Sequence, residues 1–186
     1  MTNRSELSTR QRETEAALLD AALELIRTEG FDKLTIRTVA TAAGVTHTTA
    51  YFYFSSKHHL IAEMLWRRLQ AIPGPVPDDG APLSTRITEA LREPGLVFAD
   101  EPELAQAGLT ALLTSDPDVH RLRDAIGIDL IRRIEAALGE GADRALAETL
   151  LLTFSGAMLQ AGMGYFDFAG VVKRMAVVAR RLDPQT

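Results

Sequence analysis

The stretch that decides the fold runs from Thr35 to Lys57 and reads TIRTVATAAGVTHTTAYFYFSSK. Thr35 can cap a first short helix, because its hydroxyl can accept a hydrogen bond from an unpaired amide at the helix start. Gly44 ends that helix, since glycine adopts the left-handed conformation without steric cost. Thr46 caps a second helix that carries hydroxyl and aromatic side chains. Two short helices joined by a glycine-containing turn predict a helix-turn-helix, whose second helix reads the DNA major groove.

Three motifs lie before, within and after this pair of helices. LLDAALELIRTEGF begins at Leu18, TIRTVATAAGV begins at Thr35, and AYFYFSSKHHL ends at Leu60. On these motifs, the segment from about Leu18 to Leu65 resembles the DNA-binding domain of the TetR family of bacterial transcriptional regulators. The aromatic cluster followed by Ser-Lys and a leucine is the most specific part. The resemblance implies a dimeric repressor that binds double-stranded operator DNA and responds to a small-molecule effector.

The charge of the chain is compatible with a local DNA-binding surface. Its 186 residues have a net charge of −5, yet residues 1–60 hold equal numbers of Lys/Arg and Asp/Glu, seven of each. The negative charge therefore belongs to residues 61–186. A DNA-binding protein needs only a positive face on the part that touches DNA. The candidates for that face are Arg4, Arg10, Arg12, Arg37 and Lys57.

Three features of the sequence bear on the compartment. The chain has no cysteine, which suits a reducing cytoplasm, and its first residues lack the apolar core of a signal peptide. The segment Thr149–Phe166 has no charged residue and reaches the length of a membrane-spanning helix, about 18 residues. It also contains threonine, serine, glutamine and glycine, so a buried helix of a bundle is the favoured interpretation. We expect a cytoplasmic protein without a membrane segment.

The helical pattern predicts an all-α chain of about nine helices. The predicted domains are residues 1–72, a helix-turn-helix domain whose fourth helix is the connector, and residues 83–186, a ligand-binding and dimerisation domain. The linker between them, residues 73–82, is rich in proline and glycine. Residues 1–9 are expected to form an arm. The predicted helices cover about 9–29, 36–43, 47–53, 57–71, 82–91, 102–113, 117–138, 142–165 and 168–182, with a break or bend at Pro94-Gly95.

Ten residues are predicted to contact DNA. Threonine at the start of the second helix can donate to, accept from or touch a base edge, and His47 can bond to a guanine acceptor. Three consecutive aromatic residues cannot all be buried on one face of a helix, because successive side chains point about 100° apart. The ten residues are Thr35, Arg37, Thr46, His47, Thr48, Thr49, Tyr51, Phe52, Tyr53 and Lys57.

The family resemblance assigns more specific roles to some of these positions. It implies a DNA contact for Tyr51, often for Tyr53, and for Arg37. Phe52 departs from the polar residue often found there, and an aromatic ring can contact a thymine methyl or the sugar backbone. Lys57 stands at a helix N-terminus, where a cation is unfavourable unless an anion such as a phosphate binds beside it. Without the resemblance, an exposed arginine or histidine would indicate only a solvated surface.

The resemblance also implies a partly hollow C-terminal core that holds the effector. The predicted pocket residues are Phe98, Leu109, Leu112, Leu113, Ile126, Leu130, Phe154 and Met158. Two segments, ALLTSDPDVHRLRDAIG from Ala111 and FSGAMLQAGMG from Phe154, are similar to the ligand domain of actinobacterial repressors of sterol and lipid breakdown. That similarity suggests a lipid effector, such as an acyl or steroid coenzyme A thioester.

The last two helices are expected to form the homodimer interface, as they usually do in this family. One helix would contribute small residues, which permit close approach: Ser155, Gly156, Ala157, Ala161, Gly162 and Gly164. The final helix would contribute an apolar stripe of Val171, Val172, Met175, Val178 and Leu182.

Catalytic, metal and cofactor sites are not predicted. The four histidines are scattered, no cysteine is present, and no glycine-rich phosphate loop occurs. A ligand-responsive, DNA-binding regulator is the favoured function. Two alternatives stay open. One is a small-molecule sensor or carrier with the same fold and no operator binding, and the other is a helical enzyme.

Overall fold

The computed structural model describes residues 9–75 and 80–183. Within these ranges the protein has nine α-helices, one short 3-10 helix and no strand. The helices are α1 Thr9–Glu29, α2 Ile36–Ala42, α3 His47–Tyr53, α4 Lys57–Ala71, α5 Leu83–Leu96, α6 Pro102–Leu112, α7 Pro117–Leu138, α8 Arg144–Gly162 and α9 Phe168–Ala179, with the 3-10 helix at Phe31–Lys33. The predicted arm, apart from residue 9, and linker residues 76–79 lie outside the described residues, as does Arg4 of the predicted positive face.

The helix starts in the first part of the chain are set by side-chain caps. The Thr35 hydroxyl accepts from the Thr38 amide, and the Thr38 hydroxyl accepts from the Thr35 amide, which completes a capping box. Thr46 accepts from the Thr49 amide at the start of α3. Gly44 has φ +68° in the turn between α2 and α3, as predicted from its freedom there. The predicted caps at Thr35 and Thr46 are confirmed.

The helix-turn-helix packs on α1 through α2, and the Phe54 ring contacts His59 near the start of α4. Phe54, directly after α3, is fully buried and shares the core with Leu18, Ile26 and Val39. This core is continuous with that of the C-terminal helices, because α4 contributes buried leucines to both. The division into two domains at residues 73–82 therefore stays a prediction.

Among the described residues, no helix is long and apolar enough to cross a membrane.

α5 differs from its prediction. It runs through Pro94 and Gly95 to Leu96, so the helix does not break there. Pro94 lies in the last turn, where its missing amide removes only one hydrogen bond of the helix. Gly95 packs closely on α9, since an added Cβ would lie 3.3 Å from a Val172 methyl. α5 packs along α9 and α7, and this packing keeps its last turn helical.

Candidate DNA-binding surface and ligand cavity

α3 presents one face away from the core. Ala50 is buried beneath the helix, whereas His47, Thr48, Tyr51 and Phe52 are exposed on its outer side. Tyr51 is 49% exposed and Phe52 is 74% exposed. The outer face therefore offers an imidazole, a hydroxyl, a phenol and a phenyl ring to whatever binds there.

The other predicted DNA contacts are placed less favourably or are already engaged. Tyr53 is half-buried, with its ring against those of Phe52 and Phe54. Thr49 is also half-buried, and its hydroxyl lies 2.9 Å from the exposed Thr46 hydroxyl. On α2, Thr35 uses its hydroxyl in the capping box, while Arg37 is exposed. The structure thus places all ten predicted residues in one region, with only some of them open to solvent.

Lys57 is held at the start of α4. Its Nζ donates to the Phe31 carbonyl oxygen at 3.1 Å and lies 4.2 Å from the centre of the Phe31 ring. The neighbouring His58 packs its imidazole edge-on against the same ring. Burial and the nearby Lys57 cation lower the pKa of His58, which favours the neutral imidazole at pH 7. The ammonium of Lys57 is therefore fixed beside the helix-turn-helix.

Two serines join the turn between α3 and α4 to the start of α7. Ser55 Oγ donates to Asp118 Oδ2 at 2.6 Å, and Ser56 Oγ donates to Asp116 Oδ2 at 2.5 Å. The buried His59 lies beside them, because its Nδ1 accepts from the Ser55 amide at 3.2 Å and lies 3.7 Å from Asp118 Oδ2. We call Ser55, Ser56, Asp116 and Asp118 the serine clasp.

Both carboxylates of the serine clasp are stabilised in their charged form. The hydrogen bond from Ser55 lowers the pKa of Asp118, and Arg121 and His59 add to this effect. Burial raises the pKa of Asp116, but hydrogen bonds from Ser56 and from backbone amides outweigh burial, so the pKa lies below its usual value. Ser56 and Asp116 also cap α4 and α7, respectively. The bond between these two capping residues joins the starts of α4 and α7.

A second polar link, the Glu101 clasp, joins the start of α6 to α1 and α4. Glu101 precedes Pro102, the first residue of α6, and its carboxylate forms ion pairs with two arginines. Arg27 at the end of α1 lies 3.0 Å from Glu101 Oε2, and Arg68 on α4 lies 2.6 Å from Oε1. The Glu101 clasp and the serine clasp thus flank α6. Neither was predicted, because sequence spacing gives no sign of pairs this far apart.

A mainly apolar cavity of about 280 Å³ lies among α4, α5, α6, α7 and α8. All eight predicted pocket residues line it: Phe98, Leu109, Leu112, Leu113, Ile126, Leu130, Phe154 and Met158. The prediction missed Leu65, Leu69, Pro94, Val97, Arg123, Gly127, Leu151 and Ser155. Of the described lining residues, Arg123 alone is charged, and its guanidinium donates to the Leu112 carbonyl at 2.8 Å. That bond ties α7 to the end of α6.

A different cavity, of about 340 Å³, lies between the linker, α5 and α7, and is lined by several charged side chains. One of them, Arg133, is buried and donates to the Ile72 and Pro73 carbonyls at 2.8 Å each, beyond the end of α4. Its ion pair with Asp129 occupies the remaining side of the guanidinium. Arg133 therefore anchors the linker, and the apolar cavity is the better candidate for a ligand site.

The apolar surface of α8 and α9 differs from the predicted dimer stripe. Val171 and Met175 are fully buried within the chain, where α9 packs on α5, so they cannot meet a partner. Gly162 also faces inward, since an added Cβ would lie 1.8 Å from a Leu109 methyl. The exposed apolar side chains here are Leu152, Leu159, Met163, Tyr165 and Val177. The predicted stripe is wrong for Val171 and Met175 because periodicity identifies an apolar face without identifying what covers it.

Residues 18–64 match the family described as bacterial regulatory proteins, tetR family. An HTH-type transcriptional regulator of Mycobacterium tuberculosis is 42% identical over 171 residues, which cover 91% of this chain and 80% of the relative. The chain belongs to the TetR family. Its helix-turn-helix is thus that of a bacterial transcriptional regulator.

Two other TetR-type proteins extend the comparison. The transcriptional repressor KstR of Rhodococcus jostii is 31% identical over 64% of this chain and 57% of its own length. The crystal structure of FadR from Thermus thermophilus, a TetR-family repressor in complex with lauroyl-CoA, matches with a TM-score of 0.66 at 20% identity. That match covers 89% of this chain and 93% of the FadR chain, and it shows a common fold.

Proposed function

We propose that this TetR-family regulator is a repressor that binds a palindromic operator as a homodimer and is released by a small apolar effector. The observation that carries the proposal is the position of α6. Its last turn lines the apolar cavity through Leu109 and Leu112, and Glu101, which directly precedes it, binds α1 and α4. After α6 ends, the serine clasp joins the start of α7 to the turn that follows α3. A molecule in the cavity therefore touches an element that holds the DNA-binding part in place.

The DNA-binding step relies on the outer face of α3. The recognition helix of a helix-turn-helix enters the major groove, and a dimer places two such helices one DNA turn apart, about 34–36 Å, or at a multiple of this spacing. His47, Thr48, Tyr51 and Phe52 are open for base and backbone contacts, and Arg37 and Lys57 supply positive charge near phosphates. A regulator of a bacterial operator acts in the cytoplasm, where the chromosome lies.

The exposed apolar face of α8 supports the homodimer. Leu152 and Leu159 are seven residues apart and share one side of the helix, and Met163, four residues further, directly follows its end. Large exposed apolar side chains that share one side of a helix are typical of a protein interface. We assign this face, together with Val177 of α9, to the contact with a second copy of the chain.

The effector is proposed to be a lipid or an acyl or steroid coenzyme A thioester. The described residues that line the cavity are almost all apolar. The cavity volume, about 280 Å³, is near the lower end of the range for ligand sites, about 300–1,000 Å³. An acyl chain suits such a wall, and the bound lauroyl-CoA in FadR shows that one protein of this fold holds a molecule of that class. The effector releases DNA only if it binds the DNA-free geometry more tightly than the DNA-bound one.

The first test is a pull-down of fragmented host DNA with the purified full-length protein, followed by sequencing. One strongly enriched palindromic site is expected, and acyl-CoA added to the complex is expected to reduce its retention. A site that is retained at every effector concentration would contradict the apolar-effector part of the proposal. No enriched site, with or without ligand, would contradict the repressor and favour a sensor or carrier of the same fold.

A further inference from the structure

The outer face of α3 lacks the side chains that usually read bases by paired hydrogen bonds. Guanine is commonly read by arginine or lysine, adenine by asparagine or glutamine, and cytosine by a carboxylate. The seven residues of α3, HTTAYFY, include none of these types. A base-specific contact from this helix must therefore use single hydrogen bonds or apolar contact.

Phe52 is the most exposed aromatic side chain on this face. It is 74% exposed, and its ring meets the Tyr53 ring edge-on at a centroid distance of 5.3 Å. Thr48 lies one helical turn before Phe52, so its methyl group and the phenyl ring share one side of α3. This side stays exposed in the folded chain, whereas the core side of the helix carries the buried Ala50. The phenyl ring held outward here is available to an apolar group on the DNA.

Only one base offers an apolar group in the major groove. The C5-methyl of thymine projects there, and phenylalanine and the threonine methyl are among its known contact types. We propose that the operator half-site of this regulator is specified mainly by thymine C5-methyl groups packed against Phe52 and Thr48. This inference rests on the proposed DNA-binding function and names the chemistry of the bases it reads.

The test uses deoxyuridine in place of thymidine, a change that removes only the C5-methyl and leaves base pairing intact. An operator is first selected from a random duplex library by the full-length protein, and each thymine of the half-site is then replaced in turn. Burial of one methyl-sized group implies about a fourfold change in affinity per half-site, or about fifteenfold when both half-sites are changed. At least one thymine is expected to show this loss.

The variant F52A connects the loss to the ring. It is expected to bind the thymine operator more weakly and to lose its preference for thymine over uracil at the same position. F52L, which keeps an apolar side chain, is expected to retain part of that preference. R37A serves as the matched control, because loss of a guanidinium lowers affinity without removing a methyl contact, so its uracil penalty stays at the wild-type value. Circular dichroism checks that each variant is folded.

Two results would overturn the inference while the proposed function stands. One is a selected operator whose affinity is unchanged by uracil at every half-site position. The other is a uracil penalty that persists in full in F52A at every position. If the library yields no preferred duplex, the DNA-binding function itself fails, and the inference fails with it. If F52A binds too weakly to measure, F52L takes its place, and an undiminished uracil penalty in F52L at every position overturns the assignment to the phenyl ring.

Discussion

Tyr51 and Phe52 are neighbours in sequence but offer different chemistry to DNA. Both are exposed, yet only Tyr51 carries a hydroxyl, which can donate to a phosphate oxygen. Since half of the Tyr51 surface is open to solvent, it contributes little to the core. Substitutions at Tyr51 therefore report on binding with little effect on folding.

We expect Tyr51→Ala to weaken operator binding while the thermal unfolding curve stays close to that of the wild type. A hydrogen bond to a charged group contributes about 1.5–3 kcal/mol, which is the expected loss for each half-site. A gel-shift titration measures the affinity. Tyr51→Phe removes the hydroxyl and keeps the ring, so it is expected to show most of the loss of operator affinity. Unchanged affinity in both variants would contradict a phosphate contact by Tyr51.

Substitutions at Lys57 test how much its positive charge contributes to DNA binding. We expect Lys57→Met, which keeps an alkyl chain over the Phe31 ring, to weaken binding to specific and random duplexes alike. The slope of log affinity against log salt is expected to fall in magnitude by about 0.9 for each subunit, because one phosphate contact is lost. Lys57→Arg, which retains the charge, is the control. A slope equal to the wild-type value would show that Lys57 serves only its contact with Phe31.

At the scale of the helices, the serine clasp connects three elements through four short side chains. Ser56 starts α4, Asp116 starts α7, and the two side chains bind each other. The two carboxylates keep their charge because their pKa values are lowered in the folded protein. A carboxylate of this kind stabilises the fold above its unfolded pKa, and that stabilisation is lost as pH falls through the folded pKa.

Asp118→Asn is therefore expected to lower the free energy of unfolding by about 1 kcal/mol at pH 6–7, where the wild-type carboxylate accepts charge-assisted hydrogen bonds. The difference between the two proteins should shrink as the pH falls below the ordinary aspartate value of 3.8. Urea titrations at pH 7, 5 and 3 measure both. Asp124→Asn, an exposed site further along α7, is the matched control. A difference that is independent of pH would argue against the lowered pKa of Asp118.

The helices show which features the sequence could predict. The caps at Thr35, Thr46 and Ser56 were predictable, because each hydroxyl meets an amide three residues later. The Ser55–Asp118 bond was not, since 63 residues separate its partners and either residue alone looks like a helix start. The family resemblance, applied to the apolar residues of the C-terminal helices, identified eight residues that line the cavity. It also misplaced Val171, because a buried stripe inside one chain and a dimer stripe have the same spacing.

At the scale of the whole molecule, the protein is proposed to act as a dimer, and a charged substitution at Leu152 tests this proposal. Leu152 is 74% exposed on α8, so Leu152→Glu is expected to leave the protein folded while it places a charge in an apolar contact. We expect monomers in sedimentation and at least a tenfold loss of operator affinity, because one half-site then binds alone. Thr110→Glu, an exposed site on α6, adds the same charge as a control. A dimer that survives Leu152→Glu would place the interface elsewhere.

The residues of the two clasps and the residues that line the apolar cavity do not overlap. Among the described residues, no side chain that lines the cavity takes part in either polar clasp. The cavity wall can therefore be redesigned for a new effector, by changes at Leu113 or Met158, without altering the two clasps through which binding would affect the DNA-binding part. For the engineering of biosensors, the residues that set effector selectivity and the residues that transmit the signal to the DNA-binding part can be mutated separately.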